Sequence, residues 1–154
     1  MREILFRGLH RRKGEKVRLD GTPVESIWVY GGYCQYNVER GIIYQVEPEV
    51  NKYPVYADSV GQYTGLTDKN GIRIFEGDVV EFQFDKDDCS FSDKDTKKRI
   101  GRVYFEEFRA SFAIAMGRNG SSVINNDLFK YVQNGNRVSV IGNIHDNPEL
   151  LGGE

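Results

Sequence analysis

The stretch VGQYTGLTDKNGIRIFEGDVVEFQF, residues 60–84, carries the strongest local structure signals in the chain. A strand over residues 62–66 leads into the polar turn DKNG at 68–71, after which the chain returns. Asn and Gly tolerate the positive φ that such turns require, and the Asp68 side chain can cap the turn. The stretch therefore predicts a β-hairpin in which Gly71 has a positive φ.

A second turn follows at Gly77, which we also expect at positive φ, and an alternating run comes next. Val80 and Phe82 point one way while Glu81 and Gln83 point the other, as on a half-buried strand. Later segments alternate in the same manner, so we expect them to share one core. Its predicted members are Val80, Phe82, Val103, Phe105, Phe112, Ile114, Val138 and Val140, with Leu66 and Phe75 closing one end.

The rest of the chain is typical of short strands joined by polar turns. Further strands are predicted at residues 3–9, 16–19, 99–108, 111–116 and 138–144. Two breaks are expected in the aromatic segment that follows the first strands, one at Gly31-Gly32 and one at Arg40-Gly41. A short helix is expected with Leu128, Phe129 and Val132 on one side, and Asn147 can cap a final helical turn at PELL.

The segment YTGLTDKNGIRIFEGDVVEF resembles the signature of the YopX-like family of bacteriophage and prophage proteins. The N-terminal REILFRGLH and the C-terminal VIGNIHDNPELL match the family in the same order. The resemblance implies a small β-rich domain with an SH3-like barrel or roll, encoded by phage genomes or integrated prophages. It implies no catalytic residues, because the family as a whole has no established activity.

The fold expected is mainly β with one or two short helices, an SH3-like barrel or roll with an N-terminal β-hairpin extension. The segment 47–56 is an extended connector interrupted by Pro48 and Pro54. We therefore expect an N-terminal hairpin and aromatic extension over residues 1–57 and the YopX-type barrel domain over 58–151. The two are expected to form one integrated unit.

Composition excludes several classes of protein. The net charge of −2 argues against a general nucleic-acid binder, although it leaves room for a local basic patch. No apolar run approaches the ~20 residues of a membrane helix, and no signal peptide opens the chain. Cys34 and Cys89 lie far apart and are expected to be free thiols. We therefore expect a protein of the bacterial cytoplasm with no membrane partner.

An aromatic, charge-poor run spans residues 26–46, where only Glu39 and Arg40 are charged. Tyr supplies rigid contact area with a polar tip and is enriched in interfaces. The run can either complete the core or form a surface for self-association or a partner, and the two readings are weighted equally. Ligand stacking is the third reading. The tentative interface residues are Trp28, Tyr30, Tyr33, Tyr36 and Tyr44.

Charge is distributed unevenly along the chain. Residues 1–20 contain seven basic and three acidic residues, whereas residues 76–95 contain eight acidic and two basic ones. The basic turn can contact phosphate, although a solvated hairpin turn is the favoured reading. Its tentative phosphate contacts are Arg7, Arg11, Arg12 and Lys13. The loop at residues 85–98 has five Asp, but Thr96 occupies the place of the bidentate Glu of a calcium loop, so we expect no calcium site.

Nothing in the sequence assembles a catalytic centre. The two histidines, His10 and His145, have no nucleophile or metal partner placed by spacing, so no catalytic residue, metal or cofactor is expected. The leading hypothesis is a non-enzymatic phage or prophage accessory protein that acts through protein contacts with a host or phage protein. It is expected to be a homo-oligomer. The alternative is a small barrel that binds nucleic acid through the basic hairpin and tyrosines, and an uncharacterised enzyme comes third.

Overall fold

The structure is a computed structural model that describes residues 2–46, 48–83, 98–116, 127–133 and 135–151. Within these residues it contains ten β-strands, one short α-helix and two short 3-10 helices. The strands are β1 Phe6–Arg11, β2 Ile27–Gln35, β3 Arg40–Gln45, β4 Asn51–Tyr56, β5 Gly61–Thr67, β6 Arg73–Phe75, β7 Asp78–Gln83, β8 Lys98–Glu106, β9 Ser111–Met116 and β10 Val138–Asn143. Helix α1 is Leu128–Gln133, and the 3-10 helices are Ala57–Ser59 and Pro148–Leu151.

The chain divides into two compact units, Met1–Tyr63 and Thr64–Glu154. The division falls inside β5, a few residues beyond the boundary at residues 57 and 58 expected from the Pro-interrupted connector. All the strand pairs with a defined register are antiparallel. The mainly β prediction is therefore confirmed. Among the described residues the strands form two sheets, and neither closes into a barrel.

The first unit is a sheet in the order β4-β3-β2-β1-β5. Its core is a cluster of Val29, Ile43 and Val55. Strand β2 pairs with β1 as far as Gly31 and with β3 from Gly32 onward. The predicted break at Gly31-Gly32 was wrong, because the two glycines lie in a continuous strand at the point where its pairing partner changes.

Two further predictions in the first unit were wrong. The turn expected at Arg40-Gly41 lies just before it, because the Asn37 Oδ1 atom accepts the backbone N–H groups of Glu39 and Arg40 at 2.8 and 2.7 Å. No strand covers residues 16–19, although an isolated bridge joins Val17 to Pro23 and backbone hydrogen bonds join Lys16 to Val24 and Arg18 to Thr22. The chain instead turns sharply at Gly21, which has a φ of 86°.

The connector at residues 47–56 contains β4, which pairs with β3 alone within this sheet. Pro54 lies within this strand, opposite Ile42. Proline cannot donate a hydrogen bond to a sheet, so it is confined to edge strands such as this one.

The second unit contains the end of β5, its partner β6, and a sheet in the order β10-β7-β8-β9. Gly71 and Gly77 have φ values of 79° and 90°, as predicted. The strands expected at residues 111–116 and 138–144 are confirmed as β9 and β10, and β8 ends at Glu106. Predictions for most of the acidic loop at 85–98 concern residues outside those described.

The predicted core of the second unit is largely confirmed. Its fully buried members are Ile74, Val80, Phe82, Val103, Ile114, Leu128, Tyr131 and Val138, and Leu66, Phe112 and Val140 pack against them. Phe105 was predicted wrongly and is 41% exposed, because it lies near the end of β8, where its ring packs edge-on against Phe112 at 5.4 Å. In α1, Leu128 and Tyr131 are buried one turn apart, while Phe129 is exposed.

Candidate interaction surface

One face of the sheet in the first unit is rich in tyrosine and contains no carboxylate. The register places Gly32 opposite Tyr44 and Tyr44 opposite Lys52, and Cys34 opposite Ile42 and Ile42 opposite Pro54. Cross-strand partners point to the same side of a sheet, and this side is the one away from Val29, Ile43 and Val55. We call it the tyrosine face and define it by Tyr30, Gly32, Cys34, Arg40, Ile42, Tyr44, Lys52, Pro54 and Tyr56.

The tyrosine face is accessible and flat at its centre. Tyr30 is 43% exposed and Tyr44 is 37% exposed, and Pro54 and Cys34 are exposed as well. Apart from Gly32 itself and its two neighbours in the chain, no atom lies within 4 Å of the position that a Cβ atom would occupy at Gly32. The face therefore offers exposed aromatic area around an open position at Gly32.

Three cations lie against the aromatic rings of the tyrosine face, two from the face itself and one from the neighbouring Arg12. The Arg40 guanidinium lies 4.1 Å from the centroid of the Tyr56 ring, and the Arg12 guanidinium lies 4.2 Å from the same centroid. The Lys52 ammonium lies 6.0 Å from the Tyr44 centroid. These are cation–π distances, at which a positive charge is attracted to the face of an aromatic ring.

The structure separates the five aromatic residues predicted as an interface. Tyr30 and Tyr44 share the tyrosine face, whereas Tyr33 points to the other side and packs against the unit core. Tyr36 is 56% exposed in the turn after β2. Trp28 lies on the same side of β2 as Tyr30 but is half-buried, and the Arg7 guanidinium lies 4.7 Å from the centroid of its ring.

The Tyr33 ring packs against the core of the first unit and lies directly over Gly41. An added Cβ at Gly41 would lie 2.7 Å from the Tyr33 hydroxyl oxygen, and the Tyr33 ring lies 5.9 Å from the Phe6 ring. Burial raises the pKa of Tyr33 above its ordinary value. The hydroxyl has no hydrogen-bond partner among the residues that the structure describes.

The four basic residues predicted as phosphate contacts do not form one stripe. Arg7 is buried, with 8% exposure, and Arg11 donates hydrogen bonds to the Glu25 carbonyl at 3.3 Å. Arg12 forms an ion pair with Asp58 at 2.8 Å, and Lys13 is exposed in the turn. The Arg12 backbone N–H also donates to Glu15 and lowers the pKa of that carboxyl. Carboxylates therefore offset part of the positive charge here.

The second unit contains a cleft that the sequence did not indicate. It has a volume of about 220 Å³ and is lined by side chains from four separate segments. The lining residues are Lys69, Glu81, Phe82, Gln83, Lys98, Asn136, Arg137 and Ser139. No single segment contributes more than a few of them, so no local motif could have revealed the cleft.

Within the described residues, the histidines and cysteines do not converge on a reactive centre. The His10 Nδ1 atom lies 2.8 Å from the Pro54 carbonyl oxygen, so it carries the proton that this bond requires. Cys34 is a free, exposed thiol, and Cys89 lies outside the described residues. Across the described part of the chain, no three His, Cys, Asp or Glu side chains are grouped as metal ligands would be. Nor does any helix there have the length and apolarity to cross a membrane.

Comparison with known proteins identifies the family. A crystal structure of protein EF1440 from Enterococcus faecalis is similar to this chain, with 18% sequence identity and a TM-score of 0.49. The match covers 98% of this chain and 99% of that one. No curated protein matches the chain. The family model described as YopX protein matches residues 11–152, nearly the whole sequence, and the chain therefore belongs to the YopX family.

Proposed function

We propose that this chain is a non-enzymatic accessory protein of phage or prophage origin that acts in the bacterial cytoplasm through protein contacts. Its first partner is a second copy of itself, held by the tyrosine face. The observation that supports this is the composition of that face: it carries exposed Tyr30 and Tyr44, with Ile42 and Pro54 in the row next to Tyr44, and none of its own residues is acidic. Interface centres are enriched in Tyr and depleted in Glu and Asp relative to other surface.

A second copy fits the tyrosine face because the face supplies both halves of a cation–π contact. In a two-fold contact each copy presents the same patch, so the rings of one copy can meet the cations of the other. Lys52 and Arg40 provide the cations, and Tyr30 and Tyr44 provide the rings. The excess of basic residues at 1–20 and of acidic residues at 76–95 can orient two copies as they approach, although exposed ion pairs add little energy.

A matched pair of variants tests this proposal. The double variant Tyr30→Glu/Tyr44→Glu places like charges on both sides of the contact and is expected to be monomeric by sedimentation equilibrium. Phe108→Glu adds the same charge at an exposed aromatic residue of the second unit and should leave the oligomer intact. Circular dichroism checks that the double variant remains folded. An oligomer that persists unchanged in the folded double variant contradicts the proposal.

The second candidate function is nucleic-acid binding by the basic N-terminal hairpin. It is favoured by exposed Lys13 and by Arg12, which lies beside the Tyr56 ring. Asp58 weighs against it because its carboxylate pairs with the Arg12 guanidinium, and Glu15 adds a second negative charge beside the Arg12 backbone. Fluorescence anisotropy with a labelled single strand distinguishes the two: Lys13→Gln weakens binding only if this hairpin contacts phosphate.

We also propose that the second unit is an SH3-like roll. Strands β7, β8 and β9 follow one another as a meander, α1 comes next, and β10 returns to lie beside β7. The Lys69 backbone N–H donates to the Val138 carbonyl at 3.0 Å, so the start of β10 also meets the turn after β5. Such a return of the last strand toward the first is what a rolled sheet requires.

A further inference from the structure

We propose that the cleft in the second unit binds a phosphate group. This inference is independent of the tyrosine face and concerns residues to which no role was assigned above. It rests on the charges of the cleft, on the way its cations are held, and on its size.

The charges of the cleft are predominantly positive. Lys69, Lys98 and Arg137 line it together with one carboxylate, Glu81, which forms an ion pair with Lys98 at 3.4 Å. Three cationic side chains and one carboxylate give the lining of the cleft a net charge of +2. The whole chain, in contrast, has a net charge of −2. A concave site with a local charge opposite to that of the whole molecule attracts anions selectively.

Neutral polar side chains complete the lining. Glu81 lies opposite Ser139 across β7 and β10, and Gln83 lies opposite Lys98 across β7 and β8. These four side chains therefore share one face of the sheet, next to each other. The Ser139 hydroxyl and the Gln83 amide are neutral groups that can donate hydrogen bonds to an oxyanion.

Arg137 is held by its surroundings rather than free to rotate. Its backbone N–H donates to the Tyr131 carbonyl at 2.8 Å, and one guanidinium nitrogen donates to the Lys130 carbonyl at 3.4 Å. The guanidinium also lies 5.8 Å from the centroid of the buried Tyr131 ring. A guanidinium fixed in this way loses little entropy when it binds an anion through its fork of donors.

The backbone next to Arg137 is strained. Asn136 has a φ of 35°, which is uncommon for a residue with a side chain, and Gly135 before it has a φ of 75°. The Asn136 side chain donates to the Thr67 carbonyl at 2.9 Å and stabilises this conformation. Backbone strain of this kind is concentrated at functional sites. Here it directs the chain so that Arg137 lines the cleft.

The size of the cleft limits the ligand. A volume of about 220 Å³ is smaller than the roughly 300–1,000 Å³ of pockets that enclose drug-sized ligands. It accommodates a phosphate group and a small part of whatever carries it. The ligand is therefore a phosphate ester, and the two possible sources are a small phosphorylated metabolite and the backbone of a nucleic acid.

The test is a titration of the intact chain with inorganic phosphate, followed by amide NMR shifts at constant ionic strength. Saturable shifts are expected at Lys69, Lys98, Arg137 and Ser139. Lys69→Gln/Lys98→Gln changes only exposed side chains and should weaken binding at least tenfold. Lys13→Gln/Lys16→Gln removes the same charge from an exposed turn and should alter binding less than twofold.

Two outcomes overturn the proposal. One is equal weakening by both double variants, which would mean that only net charge matters. The other is an absence of saturable shifts at the cleft. When phosphate does bind, the affinities for glycerol phosphate and for an oligothymidylate are compared to distinguish a metabolite from a nucleic-acid backbone. Tighter binding of the oligonucleotide, lost in Lys69→Gln/Lys98→Gln, assigns a nucleic-acid backbone, and tighter binding of the small ester assigns a metabolite.

Discussion

The Asp68 Oδ2 atom accepts the backbone N–H of Val140 at 2.9 Å and so joins a hairpin turn to a strand 72 residues later in the chain. The other carboxylate oxygen, Oδ1, accepts the backbone N–H groups of Asn70 and Ile72 at 2.8 and 2.9 Å. Asp68 is only 3% exposed. One side chain thus stabilises both the local turn and the placement of β10.

Replacing Asp68 should destabilise the second unit strongly. Asp68→Ala leaves three backbone N–H groups without their acceptor, and hydrogen bonds to charged groups contribute about 1.5–3 kcal/mol each, though not additively. We expect the free energy of unfolding to fall by about 3 kcal/mol or more in urea denaturation. Lys69→Ala, at the exposed neighbour, should change it by less than about 0.5 kcal/mol. Equal effects of the two variants would contradict this role of Asp68.

The core of the second unit should depend on Phe82. This ring is 1% exposed and lies 5.1 Å from the Tyr131 ring. Phe82→Ala removes buried area and leaves a cavity, so the free energy of unfolding should fall by about 3–5 kcal/mol. Phe108→Ala is the control, because Phe108 is 96% exposed and its removal should have almost no effect. A mild effect of Phe82→Ala in thermal unfolding would show that the core lies elsewhere.

Backbone conformation at Gly71 can be tested separately from packing. Gly71 has a φ of 79° and no neighbour within 4 Å of an added Cβ, so Gly71→Ala strains only the backbone. We expect a loss of about 1–2 kcal/mol in the free energy of unfolding. Gly32 has equally open surroundings but an ordinary φ, and Gly32→Ala should be neutral or slightly stabilising. If Gly71→Ala is also neutral, the turn adopts a different conformation.

The buried hydroxyl of Tyr33 should be dispensable for stability. Because it has no partner among the described residues, Tyr33→Phe should leave stability near pH 7 unchanged or raise it by up to about 1 kcal/mol. Burial raises the pKa of Tyr33 in the folded chain. The wild type therefore loses stability as the pH rises above about 10, where the unfolded tyrosine ionises first.

Denaturation curves between pH 8 and 11.5 measure this loss, because that interval brackets the pKa of about 10 that a tyrosine has in the unfolded chain. Tyr33→Phe should lose less stability than the wild type over that interval. Tyr36→Phe serves as the control, since its ring is exposed, and should follow the wild type. A destabilised Tyr33→Phe at neutral pH would mean that the hydroxyl makes a stabilising hydrogen bond.

Local signals in the sequence predicted local structure well. The turn at 68–71 and the positive φ of Gly71 follow from residue types that only a few backbone conformations suit. The contact between Asp68 and Val140 could not be predicted in the same way, because it depends on how β10 packs. The alternating pattern placed Phe105 on the inner side of β8. The pattern cannot show how far along the strand other side chains cover that side.

The candidate surfaces show the same limit. Period-two alternation separates Tyr30 from Tyr33, so the sequence could assign them to opposite faces of β2. Which of the two faces is exposed depends on the pairing with β3 and on the packing against Val55. The cleft is harder still to foresee, because Lys69, Lys98 and Arg137 come from three separate segments with no shared motif.

The central claim is that the tyrosine face holds two copies of the chain together, and the molar mass in solution tests it most directly. Light scattering on the eluting wild-type protein at about 100 µM should give at least twice the 17.6 kDa of one chain. The mass of Tyr30→Glu/Tyr44→Glu should fall to that of one chain. A wild-type mass of 17.6 kDa at that concentration would contradict the account and leave the tyrosine face without its proposed partner.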